Sequence, residues 1–143
     1  LMKSNLIIIV ILLLIAGTNL SAQNNLSVAV TGLVPDKGNV ILGLYNRNIG
    51  FLDDGFEIAN VKVKVTGDSI AYTFKCLPDG EYAVAVYQDE NGNGKCDCNM
   101  IGFPTEGFGF SKNYRPKFSA PKFDEVKIAV SQSVKTTIAL IQK

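Results

Sequence analysis

Val61-Lys62-Val63-Lys64-Val65-Thr66-Gly67-Asp68-Ser69-Ile70-Ala71-Tyr72-Thr73-Phe74 alternates apolar and polar residues on both sides of a Gly67-Asp68 pair. Successive side chains of a strand point to opposite faces, so a period of two marks strands with one face on a core. Gly67-Asp68 offers a two-residue hairpin connection between the two runs. The same period recurs on either side. Leu26, Val28 and Val30 alternate with Ser27, Ala29 and Thr31, and Tyr82, Val84 and Val86 alternate with Ala83, Ala85 and Tyr87. Val40 to Tyr45 is more continuously apolar, Gly107-Phe108-Gly109-Phe110 fits a short strand, and Val126, Ile128, Val130, Ile138 and Leu140 close the pattern. Pro35-Asp36-Lys37-Gly38 and Pro78-Asp79-Gly80 supply turns. No segment in this region carries a long helical stripe. The expectation is an all-β chain, a single antiparallel β-sandwich of seven to eight strands in two sheets.

The first residues read as an export signal. Lys3 gives a positive start, Leu6 to Ala16 is unbroken apolar sequence, and Gly17 to Ala22 is small or polar with a cut after Ala22. As a helix the apolar run covers roughly 16 Å, against about 30 Å of hydrocarbon in a bilayer. Residues 1–22 are therefore expected to leave as a signal peptide, with no membrane span afterwards, and residues 23–143 to form the β-sandwich domain. Gln23 occupies the place where a lipid-bearing cysteine would have to stand, so no lipid anchor is expected. The expected location is secreted or periplasmic. Without Lys3 the remaining 13 basic and 13 acidic residues cancel, which leaves little for a polyanion to draw on and argues against a nucleic-acid partner.

Asp89-Glu90-Asn91-Gly92-Asn93-Gly94-Lys95-Cys96-Asp97 follows one of these strands. Counted from Asp89, side-chain oxygens fall at positions one, three and five (Asp89, Asn91, Asn93), glycine at six, a backbone carbonyl at seven (Lys95) and a carboxylate at nine (Asp97). That is the order of the first nine positions of an EF-hand calcium loop. Met100 stands where the bidentate glutamate belongs, and Glu90 and Glu106 are possible replacements. Asp89, Asn91, Asn93, Lys95 and Asp97 are the candidate calcium ligands. With two formal charges among them the expected dissociation constant is about 10⁻⁴ to 10⁻³ M.

The chain has three cysteines and no histidine. Strand geometry keeps Cys76 remote from Cys96 and Cys98, and free thiols are expected in preference to a tight Cys96–Cys98 ring. A Cys-x-Cys pair suits a soft metal, whereas zinc would lack its usual third and fourth ligands. The absence of histidine removes imidazole-dependent triads, and no nucleophile elbow, phosphate loop or dinucleotide fingerprint occurs. Asp53-Asp54 and Asp124-Glu125 are neighbours in sequence and, on a strand, would point to opposite faces. A non-catalytic module is expected. One rival is a carrier of a small apolar or aromatic ligand, with Phe103, Phe108, Phe110 and Tyr114 as the ligand or partner surface. The other is a carboxylate-dependent glycan hydrolase, which needs two acids about 5 to 10 Å apart in a groove. Asn46 to Glu57 is longer than most connections and forms a second candidate surface.

The run Asp89 through Ile101-Gly102-Phe103-Pro104-Thr105-Glu106-Gly107-Phe108-Gly109-Phe110-Ser111, then Pro116-Lys117-Phe118-Ser119-Ala120-Pro121-Lys122-Phe123-Asp124, resembles exported bacterial proteins known as domain of unknown function twenty-one forty-one. The likeness extends to Leu44-Tyr45 and Phe51, while Cys96 and Cys98 depart from the usual polar residues of that loop. It implies an extracytoplasmic sandwich of immunoglobulin-like or prealbumin-like type and brings no activity with it. The expected function is a non-catalytic exported module with a weak calcium loop, its partner an extracytoplasmic protein or glycan.

Overall fold

Alternating segments become strands because one face of each can be buried while the backbone pairs sideways. A computed structural model describes residues 23–142, and the expected signal segment 1–22 lies outside the described residues. Eight strands form: β1 Asn24–Thr31, β2 Asn39–Tyr45, β3 Ala59–Lys64, β4 Ser69–Leu77, β5 Gly80–Asp89, β6 Phe108–Phe110, β7 Ile128–Val130 and β8 Val134–Ala139. One short helix, α1 (Phe123–Val126), precedes β7. No helix among the described residues is long and apolar enough to cross a membrane.

The strands make two sheets. The first has order β4-β1-β8, and the second has order β3-β2-β5-β6, with β7 also paired to β5. Leu26, Val28 and Val30 of β1, Phe74 of β4, Val40, Leu42 and Leu44 of β2, Tyr82, Val84 and Val86 of β5 and Ile138 of β8 fill the space between the sheets. The chain is thus all-β and sandwich-like.

Two features differ from the sequence expectation. Val61–Val65 and Ile70–Phe74 do not form a hairpin. β3 pairs with β2, β4 pairs with β1, and the chain crosses from one sheet to the other between them. A hairpin and a crossing impose the same alternation, because in both cases the apolar faces look into the core. Backbone bonds fix the crossing, with Val65 N–H donating to Gly38 O at 3.3 Å and Leu33 N–H to Asp68 O at 3.0 Å. Second, the sandwich is not wholly antiparallel, since β8 runs parallel to β1 with Leu26 opposite Val134 and Thr31 opposite Ala139. Parallel neighbours need a long connection, and here it is nearly the whole domain.

The outer faces of the sheets differ. Ser27 and Thr73 hydrogen-bond at 2.9 Å on the solvent side of the first sheet. On the second sheet, Tyr45, Ala83, Phe108 and Phe110 are buried with Phe123 and Val126, and Phe51, Leu52, Ala85, Tyr87 and Tyr114 pack around them. Phe51 reaches Tyr45 and Phe123 in edge contacts at 5.1 and 5.8 Å, so the Asn46–Glu57 loop is pinned to this layer. Burial on both faces explains the continuous apolar run of β2.

Candidate metal centre

β5 ends in two buried polar residues, and each holds a different piece of chain. Its register sends Tyr82, Val84, Val86 and Gln88 inward, and Ala83, Ala85, Tyr87 and Asp89 outward. Gln88 is fully buried. Its Oε1 accepts from Val34 N–H at 2.9 Å, and its Nε2 donates to Val34 O at 2.8 Å and Lys37 O at 2.7 Å. The turn 34–37 is thereby fastened over the core.

Asp89 is also fully buried. Its Oδ1 accepts from Gly92 N–H at 2.8 Å and Asn93 N–H at 3.1 Å, and its Oδ2 from Gly94 N–H at 2.9 Å. A carboxylate that takes three backbone donors curls the loop tightly about itself. Gly92 and Gly94 make this possible, both at φ +77°, where a side chain would be strained. The Tyr87 hydroxyl donates to Gly94 O at 3.1 Å from the other side.

Asn91 and Asn93 each accept a backbone N–H two residues on, Asn93 N–H at 3.0 Å and Lys95 N–H at 2.9 Å. Each amide oxygen keeps a second lone pair. Their amide groups meet the Asp97 carboxylate, with Asn91 Nδ2 to Oδ2 at 2.6 Å and Asn93 Nδ2 to Oδ1 and Oδ2 at 2.9 and 3.0 Å. Asn91, Asn93 and Asp97 therefore converge on one point, with Asp89 forming the floor of the loop. Lys95 joins through its N–H. Rotation of the two amides would turn their oxygens toward the same point, at the loss of the bonds they accept from Asn93 N–H and Lys95 N–H.

Glu106 closes the ring. Nearly buried, it accepts Glu90 N–H on Oε1 at 2.9 Å and Asp97 N–H on Oε2 at 3.1 Å, tying together both ends of the loop. Glu90 instead pairs with Lys37 at 2.6 Å. Neither glutamate faces Asp97's carboxylate. Among the described residues no group of three or more His, Cys, Asp or Glu side chains is placed to hold a metal ion, so any cation here would rely on the amides.

Gln88, Tyr87 and Glu106 support the loop in ways that its spacing alone does not reveal. Gln88 carries a legible signal, a polar residue at a core-facing position of an otherwise apolar strand face.

Burial pushes the Tyr87 hydroxyl up to about 12, with the Asp89 charge adding to it, and burial does the same for Tyr45. Both phenols hold their protons in the folded state beyond the ordinary value of 10. The stability they contribute is complete below about pH 10 and is lost as pH rises toward 12. Alkaline titration followed by tyrosinate absorbance and circular dichroism should show late-ionising phenols whose ionisation coincides with unfolding. Full ionisation near pH 10 with the fold intact would contradict this.

The aromatic candidates are scattered. Phe108 and Phe110 are buried, Phe103 is half exposed and packs edge-on against Phe108 at 5.5 Å, and Tyr114 donates to Glu125 Oε1 at 3.1 Å. An open cleft of about 470 Å³ lies elsewhere, between Ile128, Ala129, Val134 and Thr136 with Lys112 at its rim. Asp124 and Glu125 are engaged in holding α1, with Asp124 on Lys127 at 2.9 Å and Glu125 accepting Lys122 N–H at 2.7 Å.

No curated protein and no solved structure matches the chain. A family model described as "Uncharacterized protein conserved in bacteria (DUF2141)" matches residues 28–138, from within β1 to within β8. That span takes in both sheets, the loop after β5 and the aromatic layer, and the chain belongs to this family.

Proposed function

We propose that this protein is a non-catalytic exported β-sandwich module, immunoglobulin-like or prealbumin-like in type, whose Asp89–Asp97 loop takes up a divalent cation of the calcium class. The observation that carries the reading is the convergence of the Asn91 and Asn93 amides on the Asp97 carboxylate, each within 3.0 Å of it. Hard oxygens from a curled loop with glycines at the tight positions suit calcium better than a softer ion. The cation would replace the amide contacts to Asp97 and cross-link the start of the loop to its end. Its role is preorganisation: the arm from Asp97 to Glu106 is stiffened for a partner outside the cytoplasm, either a protein or a glycan.

Binding at about 1 mM stabilises the fold by about 1.4 kcal/mol when calcium is tenfold higher, roughly 5 °C in melting temperature for a domain of this size. Asp97→Ala should retain the fold and lose this increment, and calorimetric titration should show calcium bound more tightly than magnesium. A melting temperature independent of calcium up to that concentration would remove the cation from the reading.

A further inference from the structure

The arm that follows the cation loop has a second, chemically different face. Asp97 to Asn99 runs antiparallel to Phe103 to Thr105, held by Thr105 N–H to Asp97 O at 2.7 Å and Asn99 N–H to Phe103 O at 2.8 Å. In such an extended arm alternate residues share a side. Asp97 turns to Asn91 and Asn93, while Cys96 and Cys98 flank it in the chain and touch each other, the Cys98 thiol donating to Cys96 O at 3.5 Å. Both are free thiols.

Two residues on, Met100 projects fully into solvent from the turn that closes the arm. That turn is firmly built. Asn99 Oδ1 accepts Ile101 N–H at 3.1 Å and Phe103 N–H at 3.0 Å, and Gly102 N–H donates to Asn99 O at 2.9 Å. Met100 is the sole methionine after Met2. Core packing therefore does not account for its placement.

We propose that Cys96, Cys98 and Met100 form a binding site for a soft monovalent cation, copper(I) in type. Two thiolates and a thioether are the ligands such an ion selects. Zinc would need four nitrogen, sulfur or oxygen ligands, and the chain has no histidine to supply them. The nearest carboxylates are occupied elsewhere: Asp97 by the two amides and Glu106 by two backbone N–H groups. On binding, two S–H bonds break, three S–Cu bonds form, two from thiolates and one from the Met100 thioether lone pair, and two protons pass to solvent. Copper remains in the +1 state, so no electron acceptor is required. Coordination itself drives thiol deprotonation, so the protons leave as the metal binds. The site does not depend on the calcium reading, since it uses sulfur ligands alone and none of the loop's oxygen ligands.

The test is anaerobic titration of the reduced protein with copper(I) buffered by bicinchoninate, with silver(I) as a redox-inert comparison. One equivalent per chain, two protons released and a thiolate-to-copper absorption band are expected. Removing a direct ligand should exceed the 10 to 100-fold loss typical of outer-shell partners. Cys96→Ser and Cys98→Ser should each therefore weaken binding by about 100-fold or more, Met100→Leu by only about 10-fold because a neutral thioether is a weaker donor than a thiolate, and Cys76→Ser not at all. Met100→Leu alters only an exposed side chain, and circular dichroism of each variant separates lost binding from lost fold. Copper(I) held equally well by the Cys96→Ser/Cys98→Ser double variant would overturn the proposal. So would uptake only in a complex of two chains, or zinc(II) bound as tightly as copper(I).

Discussion

Gly38→Ala is expected to destabilise the protein by at least about 3 kcal/mol. A Cβ at Gly38 would lie 1.9 Å from Asp89 O and 2.8 Å from both Asp89 C and Glu90 Cα. All three are backbone atoms, so no rotamer change relieves the overlap, and either β5 or the turn must move. The residue also sits at φ +62°, which costs a further 1 to 2 kcal/mol or so for a side chain. Movement would then spread, because Gly38 O accepts Val65 N–H at the crossing between sheets and Gln88 holds Lys37 O. Gly92→Ala is the control, with a similar positive φ but nothing within 4 Å of the new Cβ. It should lose only about 1 kcal/mol. Urea unfolding of the two variants decides the matter, and equal losses would show that backbone strain alone is at work.

Asp89→Ala, measured without calcium, should cost about 3 kcal/mol. Three backbone N–H groups lose a charged acceptor, each such bond contributing about 1 kcal/mol or more, and a small void opens beneath the loop. Asp89→Asn should fall between, since an amide retains one acceptor oxygen and presents N–H groups to Gly94 N–H. Asp97→Ala should be far milder, because the Asp97 carboxylate bonds only side-chain amides at the surface and its backbone bonds survive the change. Hydrogen exchange at Gly92, Asn93 and Gly94 would rise in Asp89→Ala ahead of global unfolding. If Asp89→Ala and Asp97→Ala destabilise equally, Asp89 is not the anchor of the loop.

These expectations also mark what was legible in the chain beforehand. Alternation located the strands of both sheets, because burial of one face is a local property of spacing. It could not assign partners. Val61–Val65 and Ile70–Phe74 present the same pattern whether they fold back on each other or face each other across a core, and Gly67-Asp68 suits either path. The parallel β1–β8 pair was equally hidden, since nothing local links Leu26 to Val134. In the loop after β5, spacing singled out Asp89, Asn91, Asn93, Lys95 and Asp97, and the contacts among Asn91, Asn93 and Asp97 are short-range. The tethers Gln88 and Glu106 act on chain 54 and 16 residues away, at Val34 and Glu90, and such distant bonds leave only the trace of a polar residue in an apolar register. The outer aromatic layer joins Tyr45, Phe51, Phe110 and Phe123 from four separated segments, each of which alone looks like an ordinary loop or strand residue.

The central strand of the first sheet is the first to be made and the last to be completed. β1 is the first of the eight strands and its parallel neighbour β8 the last, so one side of β1 stays unpaired until the six strands between them have been made. Such distant pairing slows folding, and no stable half of this domain can form early. Until β8 docks, that side of β1 is an open edge along which another extended segment could lie.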